Sequence, residues 1–112
     1  MEYIGKADMR ARDNPDNFYI KARCYLILQK YREAFDCFQQ STMKSPNDAI
    51  YWTSLAILLY QQNNFTESFE AIIKASTLRP ELYEIWYNLG ILYEKCKQPE
   101  EALIAYTKVL EL

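Results

Sequence analysis

The sequence predicts an all-α fold, a right-handed α-solenoid of antiparallel helix pairs, and three observations carry that prediction. First, residues of like character return every 34 positions without a gap: Pro46 and Pro80; Phe18, Trp52 and Trp86; Ala22, Ala56 and Gly90; Ala34, Ser68 and Ala102; Phe38, Ile72 and Tyr106; Tyr25, Leu59 and Tyr93. A fixed period of this length marks stacked units, each too small to bury its apolar face alone. Second, within each step apolar residues recur at i, i+3, i+4 and i+7, the spacing of one helical face, with one polar break midway. Third, the 112 residues hold only two glycines and four prolines, too few breakers for a chain of short strands and turns.

The elements follow in order. Residues 1–14 read as the tail of a preceding repeat's second helix, because Ile4 and Ala7 stand one step before Phe38 and Ser41, and Lys6 stands in step with Gln40, Lys74 and Lys108. The first unit, 15–48, has one face with Phe18, Ala22 and Tyr25 and a second with Ala34, Phe35 and Phe38. The second, 49–82, has Trp52, Leu55, Ala56 and Leu59, a break at Gln61-Gln62-Asn63-Asn64, then Phe65, Phe69, Ile72, Ile73 and Ala75, stopped by Pro80. The third, 83–112, has Trp86, Leu89, Gly90 and Tyr93, a break at Lys97-Gln98, Pro99 in a first-turn position, then Ala102, Leu103 and Tyr106. Small residues at Ala22, Ala56 and Gly90, and at Ala34, Ser68 and Ala102, stand where the two helices of a unit cross, since a large side chain there would hold them apart. Helices of about 12–14 residues, about 20 Å long, are expected. Trp52 and Trp86 are expected in the core.

The chain begins and stops inside repeats, so it reads as a fragment of a longer array. An array end normally carries a helix with a polar outer face. The last helix instead offers Leu103, Ile104, Val109, Leu110 and Leu112, and self-association through it is expected.

Composition narrows the function. Thirteen Lys and Arg stand against 15 Asp and Glu, which argues against a nucleic-acid grip, and no basic cluster is present. There is no histidine, so imidazole acid/base catalysis, imidazole-activated nucleophiles and imidazole metal ligands are absent. Two glycines build no phosphate-cradling loop. Glu33, Asp36, Glu67, Glu70, Glu100 and Glu101 fall on second helices away from the apolar face, and Glu81, Glu84 and Glu94 lack an opposing acid pair. No catalytic, cofactor or metal constellation emerges. The longest apolar run, Leu55–Tyr60, has six residues, well short of the ~20 of a membrane span. Cys24, Cys37 and Cys96 show no C-x-x-C pairing and read as buried, reduced thiols. Asn64-Phe65-Thr66 reads as a polar turn.

The pattern resembles the tetratricopeptide repeat. Its W-x-x-L-G-x-x-Y…A…F…P signature is approached by Trp86, Leu89, Gly90, Tyr93, Ala102 and Tyr106. Trp52, Leu55, Ala56, Ala75 and Pro80 match it in unit two, and Ala22, Tyr25, Ala34, Phe38 and Pro46 in unit one. A narrower resemblance rests on Glu84-x-Trp86-Tyr87-x-Leu89-Gly90-x-Leu92-Tyr93-Glu94-x-Cys96, on Arg23-Cys24-Tyr25, and on Trp52-x-Ser54-Leu55. These runs look like the arrays of the tetratricopeptide subunit of the fungal general transcriptional co-repressor and of UTX-type histone demethylases. That resemblance implies a nuclear, non-catalytic scaffold that holds a WD-repeat co-repressor subunit or transcription regulators. Cys96-Lys97-Gln98-Pro99 is shorter than the turn that family carries there. A module of another class is the alternative: a chaperone cofactor, an assembly-platform subunit, or the non-catalytic array of a histone demethylase or glycosyltransferase.

In such an array the first helices line a concave face, the usual ligand groove. The inward positions are Tyr19, Arg23 and Ile27; Ile50, Thr53, Ile57 and Tyr60; and Glu84, Tyr87, Asn88 and Ile91. They are mostly apolar or aromatic, which suits an amphipathic helix or extended apolar segment held by a few aromatic anchors. Chaperone-binding relatives capture a C-terminal carboxylate with Lys and Asn one turn apart. Tyr19 and Arg23 hold those places here, a poor carboxylate clamp.

Overall fold

The computed structural model describes residues 15–112, and the expected helix tail at 1–14 lies outside them. Six α-helices follow one another: α1 (Pro15–Ile27), α2 (Tyr31–Lys44), α3 (Ala49–Gln61), α4 (Phe65–Leu78), α5 (Tyr83–Lys95) and α6 (Pro99–Glu111). The described residues contain no strand. Each helix has 13 or 14 residues, the length expected from the pattern. The chain divides into two compact units, Met1–Asn47 and Asp48–Leu112.

In the first unit α1 and α2 form one antiparallel pair. Ala22 and Ala34 are fully buried and Phe38 is 1% exposed. The Phe38 ring meets Tyr19 with centroids 5.9 Å apart and planes at 59°. Lys21 and Lys44 bring their ammonium groups within 5.7 and 5.8 Å of the Phe18 ring centre, so Phe18 is half-buried beneath cations at the rim.

In the second unit α3 pairs with α4 and α5 with α6, and α5 also packs on α4. The small residues sit at the crossings, as the sequence indicates. Ser68 Oγ donates to the Ala56 carbonyl at 2.7 Å, a bond that only two closely approaching helices can make. Ala56, Ile72, Ile85 and Leu92 are at most 1% exposed. Phe69 meets Tyr93 across the α4–α5 contact, 5.0 Å between centroids.

Each pair turns on the same device. Gln29, Asn63 and Lys97 have positive φ (60°, 65° and 60°) and stand 34 residues apart. The next N–H in each case reaches back five residues: Lys30 to Tyr25 at 2.8 Å, Asn64 to Leu59 at 2.8 Å, Gln98 to Tyr93 at 2.9 Å. The positive-φ residue bonds back three, as in Gln29 to Leu26 at 3.0 Å. This is the Schellman closure, which satisfies the last carbonyls of the first helix. Glycine is the usual residue there because a Cβ is disfavoured at positive φ. We therefore expect Gln29→Gly and Lys97→Gly each to raise stability by about 0.5 kcal/mol, with Asn63→Gly nearly neutral because asparagine tolerates the conformation. Parallel thermal melts of the three variants check the ordering. Equal losses in all three would show that contacts of the Gln29 and Lys97 side chains outweigh the backbone preference.

The second helices stop for a different reason. Arg79 and Ser45 leave helical geometry (φ −138° and −134°), each one residue before Pro80 and Pro46, because proline disfavours helical backbone in the residue before it. Asp48 caps α3 by accepting the Ile50 N–H at 3.0 Å, while Pro99 opens α6 from its first turn.

Three burial expectations need correction. Trp52 and Trp86 are half-buried rather than core. Trp86 directs its indole N–H to the Pro80 carbonyl at 2.8 Å and lies under the Lys108 ammonium at 5.8 Å. An indole needs a partner for its N–H, and that holds the ring at the rim. Ile73 and Leu103 belong to apolar stripes in the sequence but are 49% and 66% exposed. The three cysteines are free thiols, yet half-buried rather than buried. On α6, Ile104, Leu110 and Leu112 are exposed with Leu103, while Val109 is half-buried.

Candidate partner-binding site

The second unit gathers most of the predicted groove residues on α3 and α5. Ile50, Thr53, Ile57 and Tyr60 form one stripe of α3, and Glu84, Tyr87, Asn88 and Ile91 one stripe of α5. Tyr60 Oη donates to Asn88 Oδ1 at 3.2 Å, and Asn88 Nδ2 donates to the Glu84 carbonyl at 2.8 Å. These bonds tie α3 to α5 and hold Asn88 in one orientation. Burial, and then the nearby Tyr87, push the Tyr60 hydroxyl above its ordinary pKa. The Lys95 ammonium stands 5.7 Å from the Tyr60 ring centre, so the ring face takes a cation while its hydroxyl is spent on Asn88. Thr53 is half-buried and returns its hydroxyl to the Ala49 carbonyl of its own helix at 2.8 Å.

Tyr87 leaves the stripe open, with 51% of its surface exposed to solvent. Its ring rests on Tyr106 of α6, 5.9 Å between centroids at 48°. Tyr106 lies across Gly90, where a Cβ would come within 2.7 Å of ring Cδ1 and 2.8 Å of Cζ. The Tyr106 hydroxyl donates to Glu94 on the same α5 stripe. Its own desolvation, that hydrogen bond, and the Glu94, Tyr87 and Tyr60 charges push the Tyr106 pKa up to about 12. The Tyr106 ring thus fills the space over Gly90 and meets Tyr87 on its other side.

In the first unit, Tyr19 stands two repeat steps before Tyr87 and meets Phe38, two steps before Tyr106, at the same 5.9 Å. Arg23 and Ile27 are exposed, Ile27 at 81%. The ring pair recurs in the first and third repeats. In the middle repeat the equivalent positions are Thr53 and Ile72.

The sequence missed Tyr106, Glu94 and Lys95. The repeat pattern places Tyr106 on an apolar face, and the signal for its role is a tyrosine at the step where the previous repeat has Ile72. The structure also shows a shallow apolar furrow of about 570 Å³ bordered by Thr66, Phe69, Glu70, Ile73, Lys74 and Thr77, all on α4. None of them belongs to the predicted groove. Among the described residues no group of three or more cysteines and carboxylates could hold a metal ion. No helix among them is long and apolar enough to cross a membrane.

A helix pair with a small-residue crossing, closed by a positive-φ turn and repeated every 34 residues, is what a tetratricopeptide repeat requires. Residues 83–112 match the tetratricopeptide repeat family model. Two curated proteins show the range of chains in which such repeats resemble this one. The UDP-N-acetylglucosamine–peptide N-acetylglucosaminyltransferase of Giardia intestinalis is 32% identical over 83 residues, 73% of this chain and 6% of the transferase. The peroxisomal targeting signal receptor of Candida albicans is 33% identical over 63 residues, 56% of this chain and 11% of the receptor. The chain therefore spans a small part of the curated relatives it matches. Among solved structures, the crystal structure of MamA superposes with a TM-score of 0.88 at 19% identity, covering 98% of this chain and 64% of that one. That likeness is one of fold. Tetratricopeptide repeats are in general protein-interaction modules, and the fold itself does not choose the partner.

Proposed function

We propose that this chain is a non-catalytic array of three tetratricopeptide repeats and that it binds an amphipathic helix or extended apolar segment of a protein partner on the α3–α5 face. The observation that carries the reading is Tyr87, a half-exposed aromatic ring backed by the ring of Tyr106. A ring that loses little freedom on binding is a favourable anchor. Ile50 extends the apolar surface along α3 at 55% exposure, and Ile57 and Ile91 line it.

Tyr87→Ala is expected to weaken partner binding at least tenfold, the loss typical of an anchor worth more than about 1.4 kcal/mol, while leaving the melting temperature within about 2 °C. Titration calorimetry with a captured partner segment, beside a thermal melt, separates the two. A large melting loss with unchanged affinity would place Tyr87 in the fold and not in the site.

A finer reading follows from the run Glu84–Cys96, which resembles that of nuclear co-repressor and demethylase arrays. On it, the parent protein is nuclear and recruits a WD-repeat co-repressor subunit or transcription regulators. Imaging the tagged parent protein tests this, and exclusion from the nucleus would end it. The resemblance to a peroxisomal targeting signal receptor motivates the rival outcome, capture of a peptide signal in the cytoplasm.

A further inference from the structure

We propose that the segment bound on the α3–α5 face carries an arginine, whose guanidinium lies on the open side of Tyr87 between Glu84 and Glu94. The inference rests on that face being the binding site, and adds to it the charge of the partner. The chain shows such a contact once within itself, where the Lys95 ammonium stands 5.7 Å from the centre of the Tyr60 ring. No lysine or arginine among the described residues stands over Tyr87. One side of its ring meets Tyr106, and half of its surface is open.

Charge points the same way. Between them α3 and α5 hold two acidic residues, Glu84 and Glu94, and one basic residue, Lys95, which is engaged at Tyr60. The nearest cation of α6 in the repeat pattern, Lys108, stands over Trp86 instead. Glu84 precedes Tyr87 by one turn and Glu94 follows it by two, and both are exposed. Neither carboxylate is in an ion pair among the described residues. Glu94 accepts the Tyr106 hydroxyl through one oxygen, which leaves the other for a donor from outside. A guanidinium suits this surface better than an ammonium, because its plane stacks on an aromatic ring while its N–H groups still reach carboxylates at the edge. The stripe also stays open where a further helix pair packs beside it. One step earlier, with α5 already against the α3–α4 pair, Ile50 at the place of Glu84 is 55% exposed. Thr53 and Tyr60, at the places of Tyr87 and Glu94, are only half-buried there.

Panning a phage-displayed library of random peptides on the full 112-residue chain tests this, with the enriched peptides synthesised and titrated by calorimetry. They are expected to combine apolar residues with one arginine. Replacing that arginine by glutamine should weaken binding about tenfold, for a cation–π contact and a charged hydrogen bond lost together. The double variant Glu84→Gln, Glu94→Gln removes both charges and keeps an acceptor for Tyr106. On it the same replacement should cost about threefold or less, and added salt, which weakens binding to the wild type, should have little effect. Circular dichroism melts confirm that each variant folds. Enriched peptides that need Tyr87 but carry no basic residue would overturn the proposal and leave the binding site standing. So would an arginine worth as much on the double variant as on the wild type. Peptides indifferent to Tyr87→Ala, or no enrichment at all, would overturn both.

Discussion

Replacing Gly90 by leucine is expected to lower stability by about 3 kcal/mol, the upper part of the range for forcing volume into a filled contact. A Cβ alone at this position would stand 2.7 Å from Tyr106 Cδ1. The ring has no easy retreat, because Tyr87 meets its other side and Glu94 holds its hydroxyl. Gly90→Ala should cost much less, since alanine recovers about 1 kcal/mol of helix propensity. Its remaining cost should vanish in the double variant Gly90→Ala, Tyr106→Ile. That combination reproduces the previous repeat, where Ala56 and Ile72 are both 1% exposed. Urea denaturation of the wild type, the two single variants and the double variant measures the coupling between the two sites, expected at about 1 kcal/mol or more. Strict additivity would show that the ring is not what fills the space above Gly90. The leucine substitution bears on the site as well. Its branched side chain would push Tyr106 from behind Tyr87, so partner binding should fall along with stability.

Phe38→Ala is expected to cost about 4 kcal/mol, within the range for deleting a buried phenyl ring. Phe38 is 1% exposed, and the neighbouring crossing residues Ala22 and Ala34 are fully buried methyl groups. They are too short to reach into the void. Tyr19 loses its ring partner in the same step. Phe38→Tyr sharpens the test. At the equivalent place in the third repeat a tyrosine is tolerated because Glu94 accepts its hydroxyl. Two steps before Glu94 the register holds Leu26, whose side chain accepts nothing. The added hydroxyl should then cost about 1–2 kcal/mol if it is left without a partner. A neutral Phe38→Tyr in chemical denaturation would show that solvent reaches this end of the first pair.

The candidate site was legible in part. Tyr60, Glu84, Tyr87, Asn88 and Ile91 follow from helical spacing once the inward stripe of each first helix is assigned. What spacing cannot give is the support behind them. Tyr106 lies 19 residues from Tyr87 along the chain and on another helix, and their ring contact exists only once the two helices pack. Nor does spacing show that the Asn88 amide is engaged by Tyr60 and Glu84, or that Lys95 covers the Tyr60 ring.

By itself the sequence determined the six helices, their breaks and the residues at each crossing. These depend on information within one or two turns: a 3.6-residue apolar period, prolines that bar helix in the residue before them, and small side chains where backbones approach. The tertiary structure decided which members of each apolar stripe are covered. Ile72 is 1% exposed and its neighbour Ile73 49%; Ala102 is 2% exposed and its neighbour Leu103 66%. Adjacent residues on a helix point about 100° apart. A side chain's burial is therefore set by whether another helix stands in that direction, which the residue's own chemistry does not state. The turns follow the same logic. Gln29 and Lys97 do not favour positive φ, and they adopt it because closing two packed helices in three residues leaves the chain no other path.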